Sequence, residues 1–336
     1  MGNEKKRKNI LLNNKLVPLL VIMVILVIFF YLMNPGFLGR SNILILLKGT
    51  SLVGILGVGV SLLLISGQID LSTSAVAGFA GVIVAIMLNA GMPWVPAVLI
   101  TLLYGIVAGA INALLVNALN MMAFIATIGM TSVWAGLSYV VTRANAIKFA
   151  NDQFLLLGSI AIAKLIPIAF IIMLVLMIVY GLMLSQTKFG RSIYMCGGNH
   201  NATRLAGMSP KNIHTILFIN SGFISSLCGI LLTANMRKGD PTPLTQGMDA
   251  VAAAILGGVS FGGGSGGMGG LFVGLMLLNL FKNGLTVVRL KSYWQILAQG
   301  LLLIIALMFD YYREKQRQKM LLAGAAEVAA SKNANS

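Results

Sequence analysis

Ser185–Asn212 reads SQTKFGRSIYMCGGNHNATRLAGMSPKN, a basic, glycine-punctuated island in the middle of a chain built from apolar runs. Moving outward from it, the sequence turns apolar within a few residues on either side, over 161–184 and 213–235. Each run is long enough to cross the hydrocarbon core of a bilayer, which takes about 20 residues of helix. The island is therefore a polar connection between two membrane spans. Within it, Asn199 stands where it would cap a short helix and Gly207 where it would end one, because amide side chains favour helix starts and glycine favours the position past the end.

The rest of the 336 residues repeats the pattern. The chain is 58% hydrophobic and 10% charged, with a mean hydropathy of +0.91; soluble domains carry roughly 25% charged residues. A net charge of +16 would point to nucleic acid in a soluble protein. Here the charge sits in tails and loops between apolar runs, so lipid, not nucleic acid, is the expected surrounding. The basic N-terminus GNEKKRKN and the apolar run after it resemble a signal peptide without a small-residue cleavage site, which reads as an uncleaved first span. Cys196 and Cys228 imply no disulfide framework.

Hydropathy places spans near 17–33, 51–66, 74–90, 95–118, 122–141, 161–184, 213–235, 248–260, 268–287 and 293–310. The expectation is an all-α integral membrane protein of about ten transmembrane helices. Its divisions are a basic cytoplasmic tail (1–16), a membrane domain (17–310) with a cytoplasmic loop at 185–212, and a cytoplasmic C-terminal tail (311–336). Positive charge favours the same side as both tails and the island, most clearly at Lys5–Lys8 and Arg313–Lys319, although Arg237-Lys238 and Arg289 with Lys291 oppose it. Gly67-Gln68-Ile69-Asp70 and Gln246-Gly247-Met248-Asp249 each set an Asp at the mouth of an Ala/Gly-rich run with a glycine farther along, Gly78 and Gly257. If the spans divide evenly into two odd-numbered halves, the second is inverted relative to the first, a common transporter device.

Only 8 acidic residues are present. Asp70 and Asp249 lie beside short or broken helices, and two readings stand for both. Each either caps a helix start through its first-turn N–H groups or lines a polar path, since ionisable groups at membrane depth are costly. Ser72, Asn112, Thr127, Asn279 and Asn283 join them as candidates for a solute path. Asn279/Asn283 and Thr127/Thr131 share helix faces at i, i+4, where interhelical hydrogen bonding is the plainer account. The shortage of carboxylates argues against an ion-driven pump. The glycine-dense segment 257–274 lacks the Gly-Lys-Ser/Thr of a phosphate loop. Its small residues at spacing four (Gly262, Gly266, Gly270, Gly274) suit close helix packing and turning. His200 and His214 stand without cysteine or carboxylate companions at ligand spacing, so neither a metal nor a cofactor is expected. No catalytic constellation assembles.

Several motifs then carry a resemblance: Gly67–Ser72 (GQIDLS), Thr127–Met130 (TIGM), Thr187–Arg191 (TKFGR), Gly197-Gly198-Asn199 with Ala206-Gly207, Ala253–Ser260 (AAILGGVS) and Tyr293-Trp294-Gln295. Their order over about residues 15–312 resembles the permease subunits of sugar-type ATP-binding-cassette importers, the ribose/galactose/autoinducer-2 branch. Gln68 departs from it, where a second glycine is common. The resemblance implies a ten-helix permease of the bacterial inner membrane, working as a pair with an identical or related copy. It implies two cytoplasmic ATPase subunits docked on the island, with Lys188, Gly190, Arg191, Gly197, Gly198, Asn199, Ala202, Arg204 and Gly207 as the coupling residues. It also implies a solute-binding protein on the outer face and a small hydroxylated solute such as ribose or galactose. A secondary transporter or a passive channel is the alternative. Whether Gly67–Ser72 is a cytoplasmic turn or an intramembrane helix break stays open at this point.

Overall fold

The computed structural model describes residues 17–302 apart from 163, 164 and 243, with a few positions beyond them. The basic tail at 1–16 and most of 311–336 lie outside the described residues. The chain is predominantly helical: α1 Val17–Met33, α2 Arg40–Ile65, α3 Thr73–Asn89, α4 Trp94–Ala113 and α5 Ala123–Thr142 make up the first half. The second half holds α6 Asp152–Ser159, α7 Ile168–Gln186, α8 Lys188–Gly198, α9 His200–Leu205, α10 Pro210–Met236, α11 Gln246–Leu256 and α12 Met268–Val287. The backbone is helical again over 292–302.

Among the described residues six helices are long and apolar enough to cross a membrane: α2, α4 with its wider last turn to Ala118, α5, α7, α10 and α12. The apolar helices α1, α3 and α11 are shorter.

Three expected spans are corrected. The span at 51–66 begins at Arg40; Arg40-Ser41-Asn42 and Lys48 interrupt the apolar signal of its first turns, where Lys48 Nζ donates to Asn235 Oδ1 at 3.1 Å. The run at 161–184 begins only at Ile168. Before it, Ala161–Ile162 pairs antiparallel with Ile166–Pro167, and Pro167 fixes the turn into α7. The run at 248–260 stops as helix at Leu256 and continues as a glycine-rich turn.

The core sits around α10 and α2, whose most apolar stretches are 61% and 56% buried against 17% for α7. Hydrocarbon offers no hydrophobic incentive to separate apolar helices from lipid, so close backbone packing through small residues does the work. Gly222 on α10 meets Gly105 and Gly109 on α4, Gly229 meets Ala77 on α3, and Ser221 lies against Gly59 on α2. A side chain at Gly222 would collide with the Gly105 carbonyl. The same device joins α11 to α12, where Gly257 abuts Gly270 and Gly274 abuts Ala253. Gly270 and Gly274 thus pack as the spacing implied, whereas Gly262 and Gly266 belong to the turn.

These contacts also set direction. Gly59–Ser221 and Lys48–Asn235 make α2 antiparallel to α10, while Ala77–Gly229 and Gly81–Thr233 make α3 parallel to it. α8 and α9 lie at the end of the bundle where α2 stops and α10 starts.

Candidate functional site

The segment 66–72 between α2 and α3 holds the densest polar contacts. It starts at the α8–α9 end: the Ser66 carbonyl is 3.2 Å from His214 Nε2, and Gly67, at φ +81°, lies against Gly197. It finishes deeper, where Asp70 meets Ser221, seven residues further along α10 than His214. At 1.5 Å per residue the chain has climbed about 10 Å into the bundle. Gly67–Ser72 is an interior helix break whose lower end reaches the surface.

Asp70 is buried there and saturated. Its Oδ1 accepts from the Ser72 N–H at 2.9 Å, from Ser72 Oγ at 2.6 Å and from Asn112 Nδ2 at 3.4 Å. Its Oδ2 accepts from Ser221 Oγ at 2.9 Å. Asn112 Nδ2 also donates to Ser72 Oγ at 2.8 Å. The bond to the Ser72 N–H braces the residue before α3, not the first turn of α3 itself. α5 holds the same segment: Thr127 Oγ1 accepts from the Leu71 N–H at 3.2 Å and Thr131 Oγ1 donates to the Leu71 carbonyl at 3.1 Å. Asp70, Ser72, Asn112 and Thr127 are therefore brought together. Ser221 escaped the sequence reading because it sits in an apolar run with no spacing signal.

The other three candidates form a second group. Asp249, in the first turn of α11, directs Oδ2 to Lys282 Nζ of α12 at 2.6 Å and so does not cap its own helix. Asn283 exchanges reciprocal bonds with Asn42 at 2.8 and 2.9 Å, and Asn279 donates to the Leu275 carbonyl of its own helix. Asn283 is interhelical glue between α12 and α2. The starts of α3 and α11 nevertheless touch: a Cβ on Gly247 would lie 2.9 Å from Ser74 Oγ and 3.1 Å from Thr73 Oγ1. Thr73 Oγ1, Asn112 Oδ1 and Gln246 Oε1 at this junction are buried without a protein partner.

Cavities approach the junction from both ends. One of about 620 Å³ opens at the α8–α9 end and reaches Gly67, Gln68 and Ile69, with Asn117, Arg204 and Lys211 among its walls. Another of about 200 Å³ runs along Ala77, Gly78 and Gly81 on α3 towards Thr233, Lys238, Asp240 and Thr242. Lys238 and Thr242 donate to Asp240 and hold its carboxyl down to about 2, so it is anionic.

The island is two helices at a sharp corner. Thr187 Oγ1 caps α8 by accepting from the Gly190 N–H at 2.9 Å. Asn199 Oδ1 caps α9 by accepting from the N–H groups of Asn201 and Ala202 at 2.9 and 3.0 Å, and Gly207 leaves it at φ +77°. The stop signals at Asn199 and Gly207 mark the helix as read. α8 turns Gly190, Ser192, Ile193 and Cys196 inward, while Lys188, Arg191, Ala202 and Arg204 are exposed.

What the sequence hid is the seat of α8, the glycine-dense turn before α12. The Gly264 N–H donates to the Ile65 carbonyl at 2.8 Å, Tyr194 Oη donates to the Gly266 carbonyl at 2.8 Å, and Gly197 fits between Ile65 and Gly264 with no room for a Cβ. Gly198 beside it faces open space. Leu205, at the end of α9, is 90% exposed.

The isolation of the histidines is also corrected. Cys196 Sγ lies 3.3 Å from His214 Nε2, and the His200 and His214 rings are 5.4 Å apart. Cys196 and His200 stand only four residues apart, a spacing the sequence reading passed over, and the return of α10 adds His214. Burial pushes the Cys196 thiol up to about 11.

Residues 42–307 match the family described as branched-chain amino acid transport system / permease component. The chain belongs to this family. It is 32% identical to the ribose import permease of Haemophilus influenzae over 84% of this chain and 88% of that relative. To the ribose import permease of Bacillus subtilis it is 33% identical, over 83% and 87% respectively. To the L-arabinose ABC transporter permease of Azospirillum brasilense it is 30% identical, over 85% and 84%. No solved structure matches significantly. The chain is thus a multi-pass membrane permease of the ATP-binding-cassette type, a transport subunit of the bacterial cell membrane whose relatives bear sugar-permease names.

Proposed function

We propose that the chain imports a monosaccharide, a pentose such as ribose or arabinose in the first instance, through the junction of α3 and α11. The observation that carries the path is the placement of that junction: a buried, hydroxyl- and amide-rich cluster stands between two cavities that open at opposite ends of the bundle. Neutral donors and acceptors suit a hydroxylated solute, and the orphaned oxygens of Thr73, Asn112 and Gln246 offer it acceptors. Relatives named for ribose and arabinose support a sugar in preference to the amino acid in the family description.

The α8–α9 end is then the cytoplasmic face, in keeping with the positive charge of the island, and about ten spans cross the membrane. The α3 and α11 starts, one reached from each end of the bundle, support two inverted halves.

Energy arrives from two cytoplasmic ATPase subunits, one docking on each copy of a paired permease, while a solute-binding protein delivers sugar to the outer face. α9 suits docking: it is capped, short, basic at Arg204 and ends in Leu205, whose near-complete exposure at an aqueous surface is what a partner's apolar socket would bury. ATP-driven movement of α8 reaches the solute path directly, because Gly197 on α8 touches Gly67, three residues before Asp70.

Co-purification tests the docking. Leu205→Asp is expected to lose the ATPase subunits while the permease still inserts; full ATPase recovery with that variant would contradict the proposal.

A further inference from the structure

One side-chain cluster, at the corner where α8, α9 and α10 meet, is part neither of the buried Asp70 group nor of the Leu205 docking surface. Cys196 near the end of α8, His200 at the start of α9 and His214 in the second turn of α10 each place a donor atom within 4.8 Å of the other two. We propose that Cys196, His200 and His214 form a binding site for a thiophilic divalent cation, Zn²⁺ before others. One thiolate and two imidazoles are the donor set zinc favours, with Zn–S near 2.3 Å and Zn–N near 2.0–2.1 Å. Tetrahedral bonds of those lengths set neighbouring ligand atoms roughly 3.3–3.8 Å apart. Cys196 and His214 already stand at 3.3 Å, and the exposed His200 ring turns inward to close the remainder.

Access and the fourth position are also present. His200 and His214 line the cavity of about 620 Å³, so an ion enters from the aqueous end. A water or small anion from that cavity completes the tetrahedron, the anion favoured by Arg204 and Lys211 in the same walls. On binding, Cys196 releases its thiol proton to solvent as its sulfur bonds the metal, with no change of oxidation state. His214 takes the Nδ1–H tautomer, its ring proton leaving Nε2 for Nδ1, so that Nε2 bonds the ion in place of its contact with the Ser66 carbonyl. The bound ion cross-links α8, α9 and α10, the elements that flank the docking helix, and stiffens them. Cys228 takes no part: it lies elsewhere, with its thiol on the Leu52 carbonyl at 3.4 Å.

The test uses the full chain, purified in detergent through a tag without histidine, stripped with chelator and titrated with Co²⁺ and then Zn²⁺. The expected result is one Co²⁺ per chain with sulfur-to-cobalt charge-transfer absorption, displaced by Zn²⁺. Cys196→Ser loses that absorption and Cys228→Ser keeps it. Cys196 is buried, so its replacement risks misfolding; His200 is exposed, and His200→Ala supplies the second arm, with at least tenfold weaker Zn²⁺ binding at unchanged helix content. Absence of charge transfer in the wild type, its persistence in Cys196→Ser, or undiminished affinity in His200→Ala each overturns the site.

Discussion

Asp70 and Asp249 stand in matching stretches of sequence, yet the fold treats them differently. Asp70 is buried and held by hydroxyl, amide and backbone donors. Asp249 is half-buried and held by the ammonium of Lys282. A neutral donor shell can reorganise around a sugar by trading one hydroxyl for another. An ion pair at membrane depth is locked by the cost of separating its charges. On the proposed path, Asp70 belongs to the group that handles the solute and Asp249 to the architecture that holds α11 to α12.

The largest expected effect attacks the first term. Asp70→Ala strands the donors of Ser72, Asn112 and Ser221, and each orphaned buried donor costs about 1–3 kcal/mol. A loss of roughly 3–5 kcal/mol is expected, read as a lower thermal unfolding midpoint in detergent. Asp70→Asn keeps the size and some of the bonds, so it should fold but transport poorly; full uptake in that variant would break the assignment.

Next in size is Gly197→Ala, which pushes a methyl group into the Ile65 carbonyl and shifts α8 off its seat beneath Gly67. The cost is about 1–3 kcal/mol, together with weaker ATP-dependent uptake. Gly198→Ala, facing open space, should match the wild type in both assays. Equal behaviour of the two would show that the seat does not transmit movement.

Asp249→Ala tests the second term. Lys282 is 27% exposed, so removing its partner does not leave a fully buried charge, and the expected loss is near 1–2 kcal/mol. Asp249→Ala with Lys282→Met should recover much of it in the same melting assay. Failure to recover would give Asp249 a role beyond pairing.

Asn283→Ala is the smallest. It removes the exchange with Asn42, worth about 0.6 kcal/mol for such bonds between membrane helices, and uptake should be close to normal.

Much of this was legible in the sequence, where the signal was local. Hydropathy located the apolar runs, and Asn199 and Gly207 marked the ends of α9 because capping is decided within a few residues. Asp70, Ser72, Asn112 and Thr127 were found as polar groups in lipid, where each must have a partner. The partners themselves were hidden. Ser221, 151 residues from Asp70, is one of many serines in apolar helix. Glycine density signalled close packing, yet which backbone each glycine admits depends on helices far apart in the chain, as Gly197 and Gly264 show. Lys282 finds its partner Asp249 on another helix, 33 residues away, a pairing that no local spacing marks. The start of α2 at Arg40 and the short pieces before α7 were missed because hydropathy windows register lipid contact and not helix.

Reconstitution with the ATPase subunits and a pentose-binding protein tests the central claim most directly. Proteoliposomes containing the wild type should accumulate labelled pentose only when ATP is present on the α8–α9 side; Leu205→Asp should abolish that uptake and Asp70→Asn should reduce it sharply. Accumulation without ATP, or undiminished uptake in both variants, would contradict it.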